Sequence, residues 1–222
     1  MTEESFEGQH VDEPAFLDIL DEAVAALDHN QIAYAAMGGI ASSVLGRDRW
    51  THDIDLFVAP GDAGPALDAL AGAGFRTQRT NEHWLYKGIK QGVLVDVLFK
   101  AKGDLTFDDD MRARSLQRTF KGRSLKVMPP EDLLVIKAVI HDEETPRHWH
   151  DALGILAANE LDWEYLLRRA RHGARRVLSL LLYAQSVDLL VSEAAIRDLF
   201  DSIYVSDRSS SWTKPTALKT TT

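Results

Sequence analysis

The chain has 222 residues, 45% hydrophobic and 27% charged, with a formal net charge of −9, enough to bury a sizeable core in one large domain or two small ones. It contains no cysteine, which excludes disulfides and thiolate metal sites and fits a reducing compartment. The acidic balance argues against a long nucleic-acid footprint. The start, MTEESFEGQHVDEP, is too acidic and polar for a signal peptide, and no apolar run approaches the ~20 residues of a membrane helix, so a cytoplasmic protein with no membrane partner is expected.

Residues 12–30 repeat apolar side chains at Phe16, Ile19, Leu20, Val24 and Leu27, the spacing of a helix with Asp12 as cap and Pro14 in its first turn. Residues 32–37 are a short apolar run ended by Gly38-Gly39, hence a strand and a turn. Residues 40–45 read as a short helix closed by Gly46, 53–58 as a strand broken by Pro60-Gly61, and 65–73 as a helix ending at Gly74. Three strands follow at 75–78, 84–87 and 93–99. Alternation in the third is weak, so it is expected to be buried on both faces. The acidic run of Asp104, Asp108, Asp109 and Asp110 reads as a solvent-facing loop, and 117–128 as a hairpin turning at Lys121-Gly122. After Pro129-Pro130 the pattern becomes helical, at 131–141, 147–158, 163–172, 174–190 and 193–203. The expected organisation is an α/β (α+β) domain over 1–128, a mixed sheet flanked by helices. A helical bundle domain over 129–205 and a disordered tail over 206–222 follow.

Asp53 and Asp55 are two apart on a strand, so both project from one face, about 6.6 Å apart along the chain, while Ile54 and Leu56 point into a core. Two adjacent carboxylates repel, and burying them unpaired is costly. A divalent cation removes both problems, and Mg²⁺ is held by one or two carboxylates with substrate phosphates and water. An exposed edge strand with solvated aspartates fits the pair alone equally well. Asp96 adds a third carboxylate, set in VLVDVLF with three apolar residues on each side. It needs a partner, either a salt-bridging cation or a share in the same acidic cluster.

Gly38-Gly39 stands between a strand and a helix, where backbone N–H groups can approach a phosphate and the helix N-terminus favours negative charge. Ser42 could add a hydroxyl donor. Gly-Gly, a short helix, Asp-x-Asp on a strand and a later strand aspartate, in that order over 32–99, resemble the nucleotidyltransferase superfamily that shares its fold with DNA polymerase β. RWTHDIDLF is similar to the Arg-x-Ser/Thr-x-Asp-hydrophobic-Asp-Leu form of the AbiEii-type branch. PPEDLLVIKAV resembles that branch's Pro-x-x-Leu-x-x-x-Lys helix. RHWHDALGIL resembles its Lys/Arg-x-x-Asp-Leu helix, with Asp151 in the aspartate position and Trp149-His150 as the departure.

The resemblance implies a catalytic and metal-binding trio of Asp53, Asp55 and Asp96, Mg²⁺ or Mn²⁺ as cofactor, and a nucleoside triphosphate (NTP, ATP included) as co-substrate. It makes Gly38, Gly39, Ser42, Arg49, Thr51 and Lys137 nucleotide-binding, with Asp151 a further candidate. Read without the family, Lys137 falls within an apolar helix stripe and could equally snorkel to solvent, Arg49 is a loop arginine that is solvated or grips phosphate, and Thr51 shapes the turn. The reaction expected is attack on the α-phosphate with release of pyrophosphate. The acceptor is left open: tRNA or protein, as in toxin-like members with a cognate antitoxin, or an aminoglycoside- or lincosamide-type antibiotic. A rival reading is a non-catalytic nucleotide-binding or antitoxin-like module. Arg168, Arg169, Arg171, Arg175 and Arg176 cluster with His172, as a solvated helix face or a basic patch for RNA. His141, His148 and His150 read as polar surface.

Overall fold

Helix formation begins where Asp12 can cap it: its Oδ1 accepts the Ala15 N–H at 3.0 Å, and α1 (Glu13–His29) buries Phe16, Ile19, Leu20, Ala23 and Leu27. The computed structural model describes residues 11–205. The readings made for the N-terminal segment and for the tail over 206–222 lie outside those residues.

From there the chain runs through β1 (Tyr34–Ala36), α2 (Gly38–Leu45) and β2 (Asp53–Val58). A 3-10 turn (Pro60–Asp62) leads to α3 (Ala63–Gly72), and β3 (Arg76–Asn81), β4 (Leu85–Lys90) and β5 (Val93–Leu98) follow. Next come α4 (Asp109–Arg114), β6 (Leu116–Phe120) and β7 (Arg123–Val127). The described chain closes with α5 (Pro130–Ile140), α6 (Arg147–Ala158), α7 (Trp163–Ala170), α8 (Ala174–Ser186) and α9 (Glu193–Tyr204).

The strands form one mixed sheet in the order β3-β4-β5-β2-β1-β7-β6. β2 runs parallel to β5 and β1 to β7; the other neighbours are antiparallel. The register of β2 on β5 places Asp55 opposite Asp96. The β6–β7 hairpin turns at Lys121-Gly122, both with positive φ, which matches the twist of the paired strands. α1 and α3 pack on the sheet, and α5 packs against α2, α6, α7 and α8. One continuous apolar core runs from Phe16 on α1 to Leu199 on α9.

Two expectations are corrected. β5 is not buried on both faces: Val93, Val95 and Val97 are fully buried, but Leu94, Asp96 and Leu98 are only half-buried. The strand is half-open, and Leu98 of its outer row lines a cleft. The acidic run is not all loop either. Asp108 Oδ1 accepts the Met111 N–H at 2.9 Å and starts α4, Asp109 and Asp110 fill the first turn, where negative charge suits the helix dipole, and Met111 is buried. Asp104 and Asp109 do face solvent.

Candidate active site

The site grows from the start of β2. Ile54 and Leu56 are fully buried, which turns Asp53 and Asp55 together to the opposite face. β5 lies alongside, a strand spacing of about 4.8 Å away, and sets Asp96 beside Asp55. Lys87 faces Asp96 from β4, with Nζ 3.9 Å from Oδ1. That Oδ1 is buried and accepts no hydrogen bond.

The glycine pair fits against these carboxylates. Gly38 has φ +56°, and a Cβ there would lie 1.8 Å from Asp55 Oδ2. A Cβ on Gly39 would lie 2.3 Å from Thr51 Oγ1. The Gly39 N–H donates to the Asp55 carboxylate, and Thr51 Oγ1 donates to Asp53 Oδ1 at 2.6 Å. A side chain at Gly38 would push the start of α2 off Asp55, and one at Gly39 would push it off Thr51.

Negative charge here is poorly compensated. Burial, then Asp53 and Asp96, push the Asp55 carboxyl up to about 7, against weaker opposing effects of Lys137 and the Gly39 N–H. Burial pushes Asp96 up to about 6, with Lys87 opposing and Asp53 adding. A divalent cation would reverse both shifts. Among the described residues no three His, Asp or Glu side chains converge on a ready-made cage. A carboxylate pair suits an ion such as Mg²⁺ that arrives with phosphates and water. The orphaned Asp96 Oδ1 and the crowded Asp53–Asp55 pair fit such a group.

Across the cavity stands a cationic cluster built on Asp151, which is fully buried on α6. It accepts from Lys137 Nζ at 2.9 Å and from Arg49 Nε and Nη2 at 3.2 and 3.1 Å, and Arg47 Nη1 lies 3.8 Å away. Burial alone would raise the Asp151 pKa, but Arg49 and Lys137 outweigh it and hold the carboxyl below the usual range. Lys137 is 2% exposed, so it does not snorkel to solvent. Burial lowers its pKa, and Asp151 opposes the shift. A cavity of about 200 Å³ separates the two clusters and is lined by Gly38, Asp53, Asp55, Arg49, Lys137 and His148 among others.

The family model of the uncharacterised nucleotidyltransferases matches residues 4–196. The chain belongs to that family. Among curated proteins nothing matches it. Among solved structures, the antibiotic-resistance factor ANT(2'')-Ia matches with a TM-score of 0.52 and 15% identity, covering 90% of this chain and 100% of that one. ANT(2'')-Ia in complex with adenylyl-2''-tobramycin matches with a TM-score of 0.50 and 17% identity, over 78% of this chain and 98% of that one. The lincosamide antibiotic adenylyltransferase LnuA, lincomycin-bound, matches with a TM-score of 0.48 and 17% identity, over 68% and 100%. At these identities the likeness of the first two establishes the fold, a mixed seven-stranded sheet followed by helices.

In this nucleotidyltransferase the acids, both glycines, Thr51, Arg49 and Lys137 come together around one cavity, and Asp96 adjoins it through the β2–β5 register. Ser42 does not join them. It is buried, and its hydroxyl donates to Gly38 O at 2.7 Å, the back-bond a helical serine makes to the carbonyl four residues earlier. Asp151 holds Lys137 and Arg49 and does not line the cavity. Arg147 and His148 were missed: both line it, although the histidine reads as polar surface. Burial, then Lys137 and Arg147, push His148 down to about 4, so it is neutral at pH 7. The available signal was its place on the Asp151 helix, three residues earlier, on the same face.

The arginine cluster is largely engaged. Arg169 is buried and paired with Asp132 and Asp108. Arg168 pairs with Glu164 at 2.9 Å, and Arg176 donates to His141 O at 3.2 Å. Tyr165 completes the buried network by donating to Asp132 Oδ2 at 2.5 Å.

Proposed function

We propose that this nucleotidyltransferase moves a nucleoside monophosphate from an NTP to an acceptor hydroxyl and releases pyrophosphate. The observation that carries the reading is the pairing of Asp55 with Asp96 across parallel strands, with Asp53 on the same face, opposite the Lys137–Asp151–Arg49 cluster. Asp53 and Asp55 would hold Mg²⁺ or Mn²⁺, whose chemistry here is to neutralise phosphate charge and orient the triphosphate. Asp96, with one oxygen free of hydrogen bonds, takes the proton of the acceptor hydroxyl. The hydroxyl oxygen bonds to the α-phosphorus, the bond to the α–β bridging oxygen breaks, and pyrophosphate leaves. Lys137 and Arg49, held by Asp151, counter the phosphate charge. Positioning and charge neutralisation are the main sources of acceleration.

The division near residue 129 then has a chemical meaning: the sheet part supplies the carboxylates, and the helical part supplies Lys137 and Asp151. The AbiEii-type motifs favour a toxin-like acceptor, RNA or protein, with a cognate antitoxin and a cytoplasmic setting. One fold neighbour is the antibiotic-resistance factor ANT(2'')-Ia, known also in complex with adenylyl-2''-tobramycin. Arg169 is taken out of the basic cluster by its buried pairing with Asp132 and Asp108, which weakens the support for an RNA patch and leans the reading toward a small-molecule acceptor.

The test is label transfer from each α-labelled NTP, with Mg²⁺, to total RNA, cell protein or pooled small hydroxyl compounds. Label moving to one pool with the wild type, and not with Asp53→Asn, is expected. Failure of the wild type to bind any NTP would overturn the reading.

A further inference from the structure

The catalytic cavity continues into a second groove of about 490 Å³ that the reaction above leaves unused. The two share Met37, Leu98, Ile136 and Ile140. Leu98 follows Asp96 by two residues on β5, so both belong to the same half-open row. The groove therefore opens on the Asp96 side of the site, where an acceptor hydroxyl has to arrive. Its volume is that of a small-molecule pocket rather than of a macromolecular footprint.

The lining is chemically selective. The shared floor is apolar, and Trp84 stands at the edge, 43% exposed. The titratable side chains of the lining are His83, Lys100, Lys102 and Asp104. Lys100 Nζ lies 2.5 Å from Asp104 Oδ1, so those two charges cancel. Lys102 is exposed and makes no ion pair among the described residues. The rim loop is held in place: a Cβ on Gly103 would lie 2.1 Å from His172 O, and His172 Nδ1 lies 2.7 Å from Gly103 O. In a chain of net charge −9, the outer lining of this groove presents one uncompensated cation and no unpaired carboxylate; the poorly compensated acids lie at its inner end, on the Asp96 side.

We infer, on the nucleotidyl-transfer reading, that the acceptor is a small, flat, apolar hydroxyl compound carrying one negative charge. Its ring lies against Trp84, its anionic group meets Lys102, and its hydroxyl points toward Asp96. At the outer end of the groove a polycationic acceptor would meet Lys102 and find Asp104 already paired; the acids at the inner end are taken up by the metal and by the acceptor hydroxyl.

The test is a charge series on one frame: 6-hydroxy-2-naphthoate, its neutral amide 6-hydroxy-2-naphthamide, and the cationic 6-(aminomethyl)-2-naphthol. Binding is measured by equilibrium dialysis to the wild type, Lys102→Glu, Trp84→Ala and Asp53→Asn. Both groove residues are exposed, so their variants should fold. The naphthoate should bind tightest and the amine weakest, with steps of up to about fivefold, the range of a solvent-exposed ion pair. Lys102→Glu should invert the order, and Trp84→Ala should weaken all three alike. Mg²⁺–ATP should not displace the naphthoate. Amine binding equal to that of the naphthoate, or an order untouched by Lys102→Glu, would overturn the inference. Competitive displacement by ATP would also overturn it and assign the groove to the nucleobase. The order should persist in Asp53→Asn, which transfers nothing. A persistent order without any label transfer by the wild type would uphold the charge class of the ligand while refuting the transfer reaction.

Discussion

Gly38→Ala perturbs the contact on which the carboxylate arrangement depends. Two effects add. The φ of +56° at Gly38 lies in the left-handed region, where an L side chain costs about 1–2 kcal/mol. The new Cβ would stand 1.8 Å from Asp55 Oδ2, whereas real Cβ atoms essentially never come within 3.0 Å. The carboxylate must therefore retreat by more than an ångström, from a strand fixed between β1 and β5. A shift of that size in a metal ligand should weaken Mn²⁺–ATP binding by about 10–100-fold, as loss of a supporting contact does. Stability should fall by only ~1–2 kcal/mol, a Tm decrease of roughly 2–8 °C for a chain of this size. The free Mn²⁺ signal in electron paramagnetic resonance, titrated with ATP present, reads the affinity, and a urea melt reads the stability. Gly61→Ala is the control, because a Cβ there meets nothing within 4 Å. A folded Gly38→Ala protein that binds Mn²⁺–ATP within twofold of the wild type would refute the reasoning.

Three further outcomes follow from the same geometry. In the metal-free protein the Asp55 and Asp96 carboxyls are held up to about 7 and about 6. The folded state therefore binds their protons more tightly than the unfolded chain, and the stability they contribute is full below about pH 4 and lost as pH rises through 6–7. Asp55→Asn should flatten that decline in urea midpoints, and Mn²⁺ affinity should rise over the same window as the ligands deprotonate; a wild type that instead gains stability over this range relative to Asp55→Asn contradicts it. Asp151→Asn leaves Lys137 and Arg49 without their buried counter-charge, a loss of about 3–5 kcal/mol and roughly 6–20 °C in Tm. Adding Lys137→Met should recover part of the loss in calorimetry. Arg169→Met strands the buried Asp132 and should cost about 3–5 kcal/mol in urea denaturation, where a loss under about 1 kcal/mol would place the network among surface pairs.

The acids were legible because strand periodicity is local. Asp53 and Asp55 share a face whatever the rest of the fold does, and the apolar surround of Asp96 demanded a partner. The partner itself was not legible, since the Asp55–Asp96 register depends on β2 and β5 becoming neighbours across 40 residues. β5 was misjudged because its outer row is half-buried yet apolar at Leu94 and Leu98, and Leu98 is apolar where it lines a cleft rather than a core. α4 was missed because one cap and one buried Met111 anchor it, too little for a periodic pattern. Ser42 followed from the expectation that a glycine turn presents its next hydroxyl to a ligand; the helix starts at Gly38 itself, which turns Ser42 inward. The role of Asp151 arises from contacts with Arg49 and Lys137, 102 and 14 residues away, and no local spacing encodes the first of them.

The most direct measurement is anomalous diffraction at the manganese edge, from crystals of the wild type soaked with Mn²⁺ and an ATP analogue bearing a methylene bridge between its α- and β-phosphates. The expected result is an anomalous peak at about 2.0–2.2 Å from carboxylate oxygens of both Asp53 and Asp55, the range of a hard cation on oxygen ligands, with the triphosphate reaching toward Lys137 and Arg49. A triphosphate bound elsewhere on the chain, or one seated in the cavity with no manganese on the two aspartates, would contradict the assignment of this site.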